Sequence, residues 1–270
     1  MSILSEAIDT IGDGKTRHIV PVSGGKDSAA LAVYMRQQYA QLPVEYVFCD
    51  TQSELPETYE FLERLEALLG LSIRKINALD YLDIERKPSR EAFDFYLKEL
   101  YSGFLPSPQA RWCTNYLKIK PFENFVGDSF AYSYIGIRSD EDRAGYIPKK
   151  PPAFSDKPNI LPVYPFKEDG IVLSDVKEIL ESSGLGLPSY YSWRSRSGCY
   201  FCFYQQIGEW QRLKTTHPQL FERAKTYEKT SGSRKYTWVQ GRSLDDIEKL
   251  EKMYDLANMD ETEGCAICHL

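Results

Sequence analysis

Apolar residues near the start of the chain fall into short runs, separated by stretches in which they recur at helical spacing. In chain order the pattern predicts a strand at 18–22, a helix at 28–39, a strand at 44–49, a helix at 58–69 and a strand at 71–76. Strands and helices that alternate at this spacing form βαβ units with right-handed crossovers. The pattern therefore predicts an α/β fold with a doubly wound, mainly parallel sheet flanked by helices.

The rest of the chain is less regular. We expect helices at 92–100, 116–125, 173–183, 206–230 (broken near Pro218) and 243–256, a strand at 131–136, and a surface loop at 144–165. The final stretch is polar and carries cysteines. On this reading the C-terminal part is a helical extension with a Cys-bearing tail.

Charge and hydropathy narrow the function classes. The 270-residue chain carries a net charge of −6, which argues against a protein that grips nucleic acid by bulk charge, although a local basic groove stays open. Its apolar runs are far shorter than the roughly 20 residues that cross a bilayer. Residues 1–15 lack the apolar core of a signal peptide. We therefore expect a cytoplasmic protein with no membrane association.

A short polar segment between the first strand and the first helix has the composition of a phosphate-binding turn. Its glycines permit a sharp turn, its hydroxyls and lysine favour an anion, and the following helix points the positive end of its dipole at the same place. It is not a Walker A motif, because the spacing of its glycines differs. The segment consists of Ser23, Gly24, Gly25, Lys26, Asp27 and Ser28. We expect Asp27 to help hold Mg²⁺ or to order the turn.

Polar residues also follow two other predicted strands. Asp50 comes directly after the second strand, at the sheet edge where open α/β sheets bind ligands, unless it is simply a solvated loop acid. Gly136, Arg138 and Arg143 follow the strand at 131–136. The arginines suit phosphate or sulfate oxygens, although one of them could instead pair with Asp140 or Glu141.

These motifs together resemble the PP-loop ATP pyrophosphatases, in particular the branch of the phosphoadenosine phosphosulfate (PAPS) reductases and the DNA-phosphorothioation sulfurtransferases. The resemblance rests on 23–28, on the Asp-Thr and Pro-Glu-Thr of 50–58, on the Gly-Ile-Arg segment of 136–143 and on the stretch from 161 to 176. It implies an adenine nucleotide alpha hydrolase-like fold and ATP with Mg²⁺ as cofactors. The domain would span residues 1–205, with the helical extension at 206–270. Two departures stand out, Gln52 in place of a glycine and Asp142 in place of a serine.

The resemblance also implies roles for particular side chains. Lys26 and the turn amides would stabilise the pyrophosphate that leaves, and the candidate catalytic residues are Lys26, Asp27, Asp50 and Arg138. The candidate nucleotide-binding residues are all six of the turn together with Asp50, Gly136, Arg138 and Arg143.

Six cysteines in a chain expected to be cytoplasmic favour metal binding or catalysis over disulfides. Two Cys-x-x-C pairs, Cys199 with Cys202 and Cys265 with Cys268, suit a tetrahedral zinc site, although the gap between them is long. The stretch around Cys113 and the later pair resemble the cluster-binding segments of iron–sulfur members of the family. That resemblance implies a [4Fe–4S] cluster. Since Thr114 stands where those members have a second cysteine, the tail would supply the fourth thiolate.

Two further readings of the cysteines stay open. One tail cysteine could act as a sulfur-carrying or attacking thiolate, because the ending resembles that of the PAPS reductases. Cys49, at a strand end, is expected to be a buried small hydrophobe.

Three functions follow as hypotheses. The first is an ATP pyrophosphatase that adenylates an acceptor for sulfur transfer, with nucleic acid such as a DNA backbone phosphate as acceptor, other subunits helping to engage it, and a cysteine desulfurase as sulfur donor. The second is a sulfonucleotide reductase that releases sulfite. The third is a nucleotide-sensing subunit of a larger complex.

Overall fold

The computed structural model describes residues 2–82, 91–142, 145–147, 158–196, 198–232 and 235–256. Of the predicted site residues, Arg143, Cys265 and Cys268 lie outside these ranges.

Five strands form one parallel sheet in the order β3-β2-β1-β4-β5. They are β1 (Arg17–Val22), β2 (Val44–Asp50), β3 (Ile73–Asn77), β4 (Ala131–Tyr134) and β5 (Ile160–Val163). The chain adds β2 and β3 on one side of β1 and then crosses to place β4 on the other side. The strand order therefore reverses between β1 and β4, and this reversal is where open α/β sheets form their ligand crevice.

The α-helices in chain order are α1 (Ile3–Ile8), α2 (Lys26–Gln38), α3 (Pro56–Leu69), α4 (Ala92–Phe95), α5 (Trp112–Thr114), α6 (Lys120–Val126), α7 (Pro165–Glu168), α8 (Leu173–Ser182), α9 (Ile207–Thr216), α10 (Pro218–Thr226) and α11 (Leu244–Glu248). Short 3₁₀ turns occupy Ala78–Tyr81 and Ser189–Ser192. In α3, Pro56 is pre-set for the first turn, and Gly70 ends the helix in the left-handed conformation at φ 65°.

Alternate residues of the strands pack against helices on opposite faces of the sheet, as the period of two requires. Val20 and Phe48 belong to a core with α2, α3 and α8. Ile19 and Val47 belong to a core on the other face with α6. Helices on both faces of a parallel sheet confirm the predicted doubly wound α/β fold.

A third core is built from aromatic side chains. Phe93 lies 4.1 Å from Phe201 and 5.3 Å from Trp112 between ring centroids, and Phe201 stacks on Trp238 at 5.2 Å. This core draws residues from α4 and α5 and from α9 to α11. The helical C-terminal part thus packs on the segments between β3 and β4, and the domain boundary at residue 205 stays a prediction.

Four of the predicted elements differ from the structure. The predicted loop at 144–165 contains β5, where Pro162 is tolerated because the strand lies at the edge of the sheet. The helices predicted at 92–100 and 116–125 contain π-helical turns at Tyr96–Leu100 and Asn115–Ile119, and the second begins earlier, at Trp112.

The helix predicted at 243–256 is much shorter in the structure, where it covers only Leu244–Glu248. Gln211 holds the following segment by accepting from the Tyr254 N–H at 2.8 Å and donating to the Lys252 carbonyl at 2.9 Å. Among the described residues, no helix combines the length and the apolar character that crossing a membrane requires.

Candidate functional site

The predicted phosphate-binding turn joins the end of β1 to the start of α2, next to the reversal in strand order. Ser28 Oγ accepts from the Ser23 N–H at 3.0 Å and lies 2.9 Å from Ser23 Oγ. Ser23 Oγ also accepts from the Gly25 N–H at 3.3 Å, and Gly25 is the N-cap of the 13-residue helix α2. The two serines therefore close the turn on itself. The helix dipole and the backbone N–H groups at this point favour a bound anion.

Gly24 is enclosed by its surroundings. Its φ is +74°, and a Cβ built on it would lie 2.5 Å from Thr58 Cγ2, on α3. The Tyr190 hydroxyl donates to the Gly24 carbonyl at 2.7 Å. Tyr191 packs its ring near Lys26, whose Nζ lies 5.2 Å from the ring centroid. Tyr190 and Tyr191 thus pack against the turn.

A buried charge network lies directly behind the turn. Arg138 Nη1 is 2.7 Å from Asp27 Oδ1 and 2.7 Å from Glu141 Oε1, and its Nε donates to Asp140 at 2.9 Å. Lys26 Nζ lies 3.6 Å from Asp27 Oδ2. Asp27 thus lies between two cations, and its predicted role, either holding Mg²⁺ or ordering the turn, stays a prediction. Arg138 is 1% exposed and pairs with Asp140 and Glu141, the alternative to phosphate binding, so its nucleotide contact stays a prediction.

Gly136 has a packing reason to lack a side chain. A Cβ built on it would lie 2.9 Å from the carbonyl oxygen of Asp27. The strand end after β4 can therefore approach the start of α2 only because residue 136 is a glycine. Its predicted contact with a nucleotide stays a prediction.

Asp50 lies at the carboxyl edge of β2. Its Oδ1 accepts from the Gln52 N–H and from the Tyr59 hydroxyl, both at 2.8 Å. Gln52, which stands where the family has glycine, adopts a left-handed φ of 58°. Its Oε1 accepts from the Ala92 N–H at 3.1 Å. Gln52 therefore keeps a backbone conformation typical of glycine, although its side chain makes this conformation sterically unfavourable.

Three of the five predicted metal-ligating cysteines line one cavity of about 50 Å³. Cys113 comes from α5, and Cys199 and Cys202 come from the loop before α9. Lys118 and Arg196 line the same cavity, so two cationic side chains face the thiols. Arg194 fixes the loop by donating to the carbonyls of Gly198 at 3.2 Å and Cys199 at 2.8 Å.

The surroundings of Cys113 and Cys199 favour the protonated thiol. Burial, together with the nearby Cys202, raises the pKa of Cys113 to about 12. Burial and the Glu54 carboxylate raise the pKa of Cys199 well above its usual value. Within the described ranges, no group of three or more His, Cys, Asp or Glu side chains is arranged to hold a metal ion. A thiol set of this kind fits a sulfur-ligated group only with release of its protons.

Cys49, by contrast, is buried against Lys118, donating to its carbonyl at 3.4 Å. It belongs to the core beneath the sheet, as predicted for a small buried hydrophobe.

One segment links the turn to the thiols. Thr51 Oγ1 lies 3.3 Å from Cys199 Sγ and donates to Glu54 at 2.8 Å. The Tyr200 N–H donates to the Ser53 carbonyl at 3.0 Å, and Glu54 forms a β-bridge with Cys199. The same chain leads into α3, whose Thr58 touches the turn. Sequence reasoning missed Thr51 and Glu54 as neighbours of the thiols, because contacts between residues some 145 positions apart leave no spacing signal.

A glycine turn at the strand-order reversal of a doubly wound parallel sheet is the arrangement of nucleotide-binding α/β proteins. The chain belongs to the PAPS reductase-like branch of the PP-loop ATP pyrophosphatase superfamily, since the model of the phosphoadenosine phosphosulfate reductase domain matches residues 17–181.

The individual proteins that match this chain are only distantly similar to it in sequence. An uncharacterized protein of Methanocaldococcus jannaschii, MJ0066, is 23% identical over 218 residues, which is 76% of this chain and 40% of that protein. The tRNA-specific 2-thiouridylase MnmA of Lactobacillus helveticus is 27% identical over 133 residues, covering 47% of this chain and 33% of MnmA. The chain therefore spans less than half the length of either relative.

Among solved structures, the phosphoadenylyl-sulfate reductase of Candida auris, in a phosphate complex, has a TM-score of 0.50 at 12% identity. The match covers 74% of this chain and 88% of that one. At this identity the likeness shows the shared fold.

Proposed function

We propose that this protein is an ATP pyrophosphatase that adenylates an acceptor for sulfur transfer, with nucleic acid as the acceptor. An acceptor oxygen attacks the α-phosphorus of ATP, pyrophosphate leaves, and a sulfur nucleophile then displaces AMP from the activated acceptor. The acceptor envisaged is a DNA backbone phosphate, as in phosphorothioation.

The observation that supports the proposal is that one short segment of the chain contacts both the turn and the thiol cavity. Thr51 and Glu54 contact Cys199, while Thr58, one helical turn further on, contacts Gly24. Both halves of the reaction would thus take place around one short segment. A nucleotide sensor would need no thiol cavity at this position.

The chain's own residues divide the work. The N–H groups of the turn and the Lys26 ammonium would stabilise the developing charge on the leaving pyrophosphate. Asp27 and Asp50 are the carboxylates for a Mg²⁺ ion that accompanies ATP. Arg138 would hold Asp27 in place from behind the turn.

Cys113, Cys199 and Cys202 are the residues that would hold a [4Fe–4S] cluster, which would supply a sulfur-binding iron centre. A fourth ligand would come from Cys265 or Cys268, and a structural zinc ion is the alternative. Iron, zinc and acid-labile sulfide measured in anaerobically purified protein decide between them. About four irons and four sulfides per chain support the cluster, whereas one zinc without sulfide supports the structural site.

The sulfur donor and the nucleic acid are partners in this proposal. A cysteine desulfurase would deliver the sulfur as a persulfide; once its terminal sulfur has displaced AMP, a second thiol would cleave the S–S bond, which leaves one sulfur on the acceptor and forms a disulfide. Because the chain carries a net charge of −6, we expect other subunits to make most of the contacts with the nucleic acid.

The nucleotide products test the proposal. The protein is incubated with ATP, Mg²⁺, a nucleic acid and a sulfur donor, and the expected products are pyrophosphate and AMP. Ser28→Ala should abolish their release, because Ser28 Oγ closes the turn, while the exposed control Ser129→Ala should keep wild-type rates. Release of ADP and phosphate, or undiminished pyrophosphate release by Ser28→Ala, refutes the assignment.

A sulfonucleotide reductase is the second candidate, favoured by the reductase domain that the sequence matches. It predicts sulfite release from a sulfonucleotide with a thiol donor and no pyrophosphate.

A further inference from the structure

A second, larger cavity adjoins the thiol cavity. Its volume is about 540 Å³, within the roughly 300–1,000 Å³ typical of small-molecule sites. Pro106 and Phe203 line both cavities, so the two lie side by side. We call the larger one the aromatic groove, and its lining includes Phe104, Gln109, Phe203, Gln205, Lys235, Tyr236, Trp238 and Gln240.

Two tight turns form the rim of the aromatic groove. One is closed by reciprocal backbone hydrogen bonds between Ser107 and Ala110, at 3.2 and 3.0 Å, and carries the exposed Gln109. The other is closed by the Arg242 N–H on the Val239 carbonyl at 3.2 Å and carries the exposed Gln240. The two glutamine side chains therefore stand on backbone that is already ordered.

Aromatic rings supply the walls. Phe104, which is 36% exposed, meets Tyr236 edge to face at 5.2 Å between centroids. Trp238 forms part of the floor and is held by its own Nε1–H, which donates to the Ala224 carbonyl at 2.9 Å. A flat ring lying against the outer side of the Phe104–Tyr236 pair would meet both a π-face and a ring edge.

Gln205 belongs to the wall of the groove. Its Nε2 donates to the Tyr200 carbonyl at 2.6 Å and its backbone N–H donates to Cys202 at 3.0 Å, which fixes the amide beside the thiol loop. The residue is 5% exposed, and its Oε1 has no hydrogen-bond partner in the part of the chain that the structure describes. This oxygen is itself buried, so Gln205 orders the wall between the groove and the thiol loop, and the amides that a ligand can reach are those of the exposed Gln109 and Gln240.

We propose that the aromatic groove binds an unstacked base of a single-stranded nucleic acid, and so presents the acceptor to the thiols next door. Aromatic faces with amide groups at the edge are how proteins hold splayed-out bases, and the exposed Lys235 lies on the lining, where a backbone phosphate would pass. A base brings ring faces for the aromatic wall and ring-edge donors and acceptors for the exposed amides of Gln109 and Gln240. This inference rests on the proposed function and names its acceptor site.

Binding of fluorescein-labelled short single-stranded DNA and RNA to the full-length protein tests the groove. Phe104→Ala and Tyr236→Ala should each weaken binding roughly 5- to 150-fold, the equivalent of one lost base–aromatic stack. Phe130→Ala is the matched control, because Phe130 is 38% exposed, lies directly before β4 and does not line the aromatic groove. It should bind as the wild type does.

Gln240→Ala is a second test of the groove. Gln240 is exposed on a rim turn, so its replacement does not disturb the aromatic core. It should alter the preference among oligonucleotides of different base composition. ATP affinity, measured on every variant, should stay at the wild-type value.

The proposal that the groove binds a base is wrong if the wild type binds no oligonucleotide, or if Phe104→Ala and Tyr236→Ala bind as tightly as Phe130→Ala does. If those variants bind normally while the wild type still transfers sulfur to the oligonucleotide, the groove fails and the proposed function stands. If they bind weakly while the wild type never releases pyrophosphate, the groove stands and the proposed function fails.

Discussion

Replacing Gly24 by alanine tests whether the turn is held in shape by its contact with α3. Gly24 has a φ of +74°, and its new Cβ would lie 2.5 Å from Thr58 Cγ2. Thr58 is fully buried, so its methyl group cannot swing into solvent. The substitution therefore combines a backbone penalty with a steric clash.

The two penalties can be estimated separately. An L-residue in the left-handed region costs about 1–2 kcal/mol. Overpacking in a close-packed site costs about 1–3 kcal/mol. Gly24→Ala should thus lower the free energy of unfolding by about 2–5 kcal/mol. Gly14→Ala is the matched control, because Gly14 has a φ of +67° and its Cβ would have no atom within 4 Å. It should show the backbone penalty alone.

Thr58→Ser supplies the rescue, since it deletes the clashing Cγ2 and keeps the hydroxyl. The other two atoms near the new Cβ, Thr58 Cβ at 3.8 Å and Leu62 Cγ at 3.9 Å, are at ordinary contact distance. In a double-mutant cycle, Gly24→Ala should therefore be less destabilising in the Thr58→Ser background than in the wild type.

Urea unfolding measures the stability of the four proteins and the control, and calorimetry measures ATP affinity. We expect Gly24→Ala to bind ATP weakly and the double variant to recover part of the affinity. Equal losses for Gly24→Ala and Gly14→Ala, together with no coupling to Thr58→Ser, would show that the turn is not packed as described.

Two further predictions concern buried groups. Arg138→Met should cost about 3–5 kcal/mol of stability, because it removes the guanidinium that lies 2.7 Å from two buried carboxylates, Asp27 and Glu141. Asp140→Asn, which changes the most exposed partner of Arg138, should cost at most about 1 kcal/mol by the same urea assay; equal losses would contradict the network. Burial raises the pKa of Cys49 from 9.0 to about 12, so the folded protein keeps a proton that the unfolded chain loses, and stability should fall as pH rises from 9 toward 12. The fall should be shallower in Cys49→Ala, and an unchanged slope would show that the thiol is not buried.

The core of the fold could be predicted because its signals are local. The strand at 18–22 and the helix after it follow from the hydrophobic period, and the glycines and serines between them define the turn. β5 escaped prediction because four residues beside a proline-rich stretch carry too short a pattern. The C-terminal helix was predicted too long, because hydrogen bonds from Gln211 to a distant segment override its helical spacing.

The candidate site could be predicted only in part. The sequence singles out Cys113, Cys199 and Cys202, and tertiary packing then brings them to one cavity. Nothing in the spacing indicates that Glu54 lies against Cys199, or that Phe104 and Tyr236 form the wall of a groove. Such neighbours depend on how α4, α5 and the C-terminal helices pack together, and that packing is non-local.

The most direct test of the central claim is transfer of radiolabelled sulfur from cysteine, through a cysteine desulfurase, to a short nucleic acid, with pyrophosphate measured in the same reaction. The account predicts ATP-dependent labelling with one pyrophosphate per sulfur. Ser28→Ala should lose both signals, and Cys199→Ser should lose the label while still releasing pyrophosphate. Labelling that proceeds without ATP, or sulfite as the sulfur product, would contradict the account.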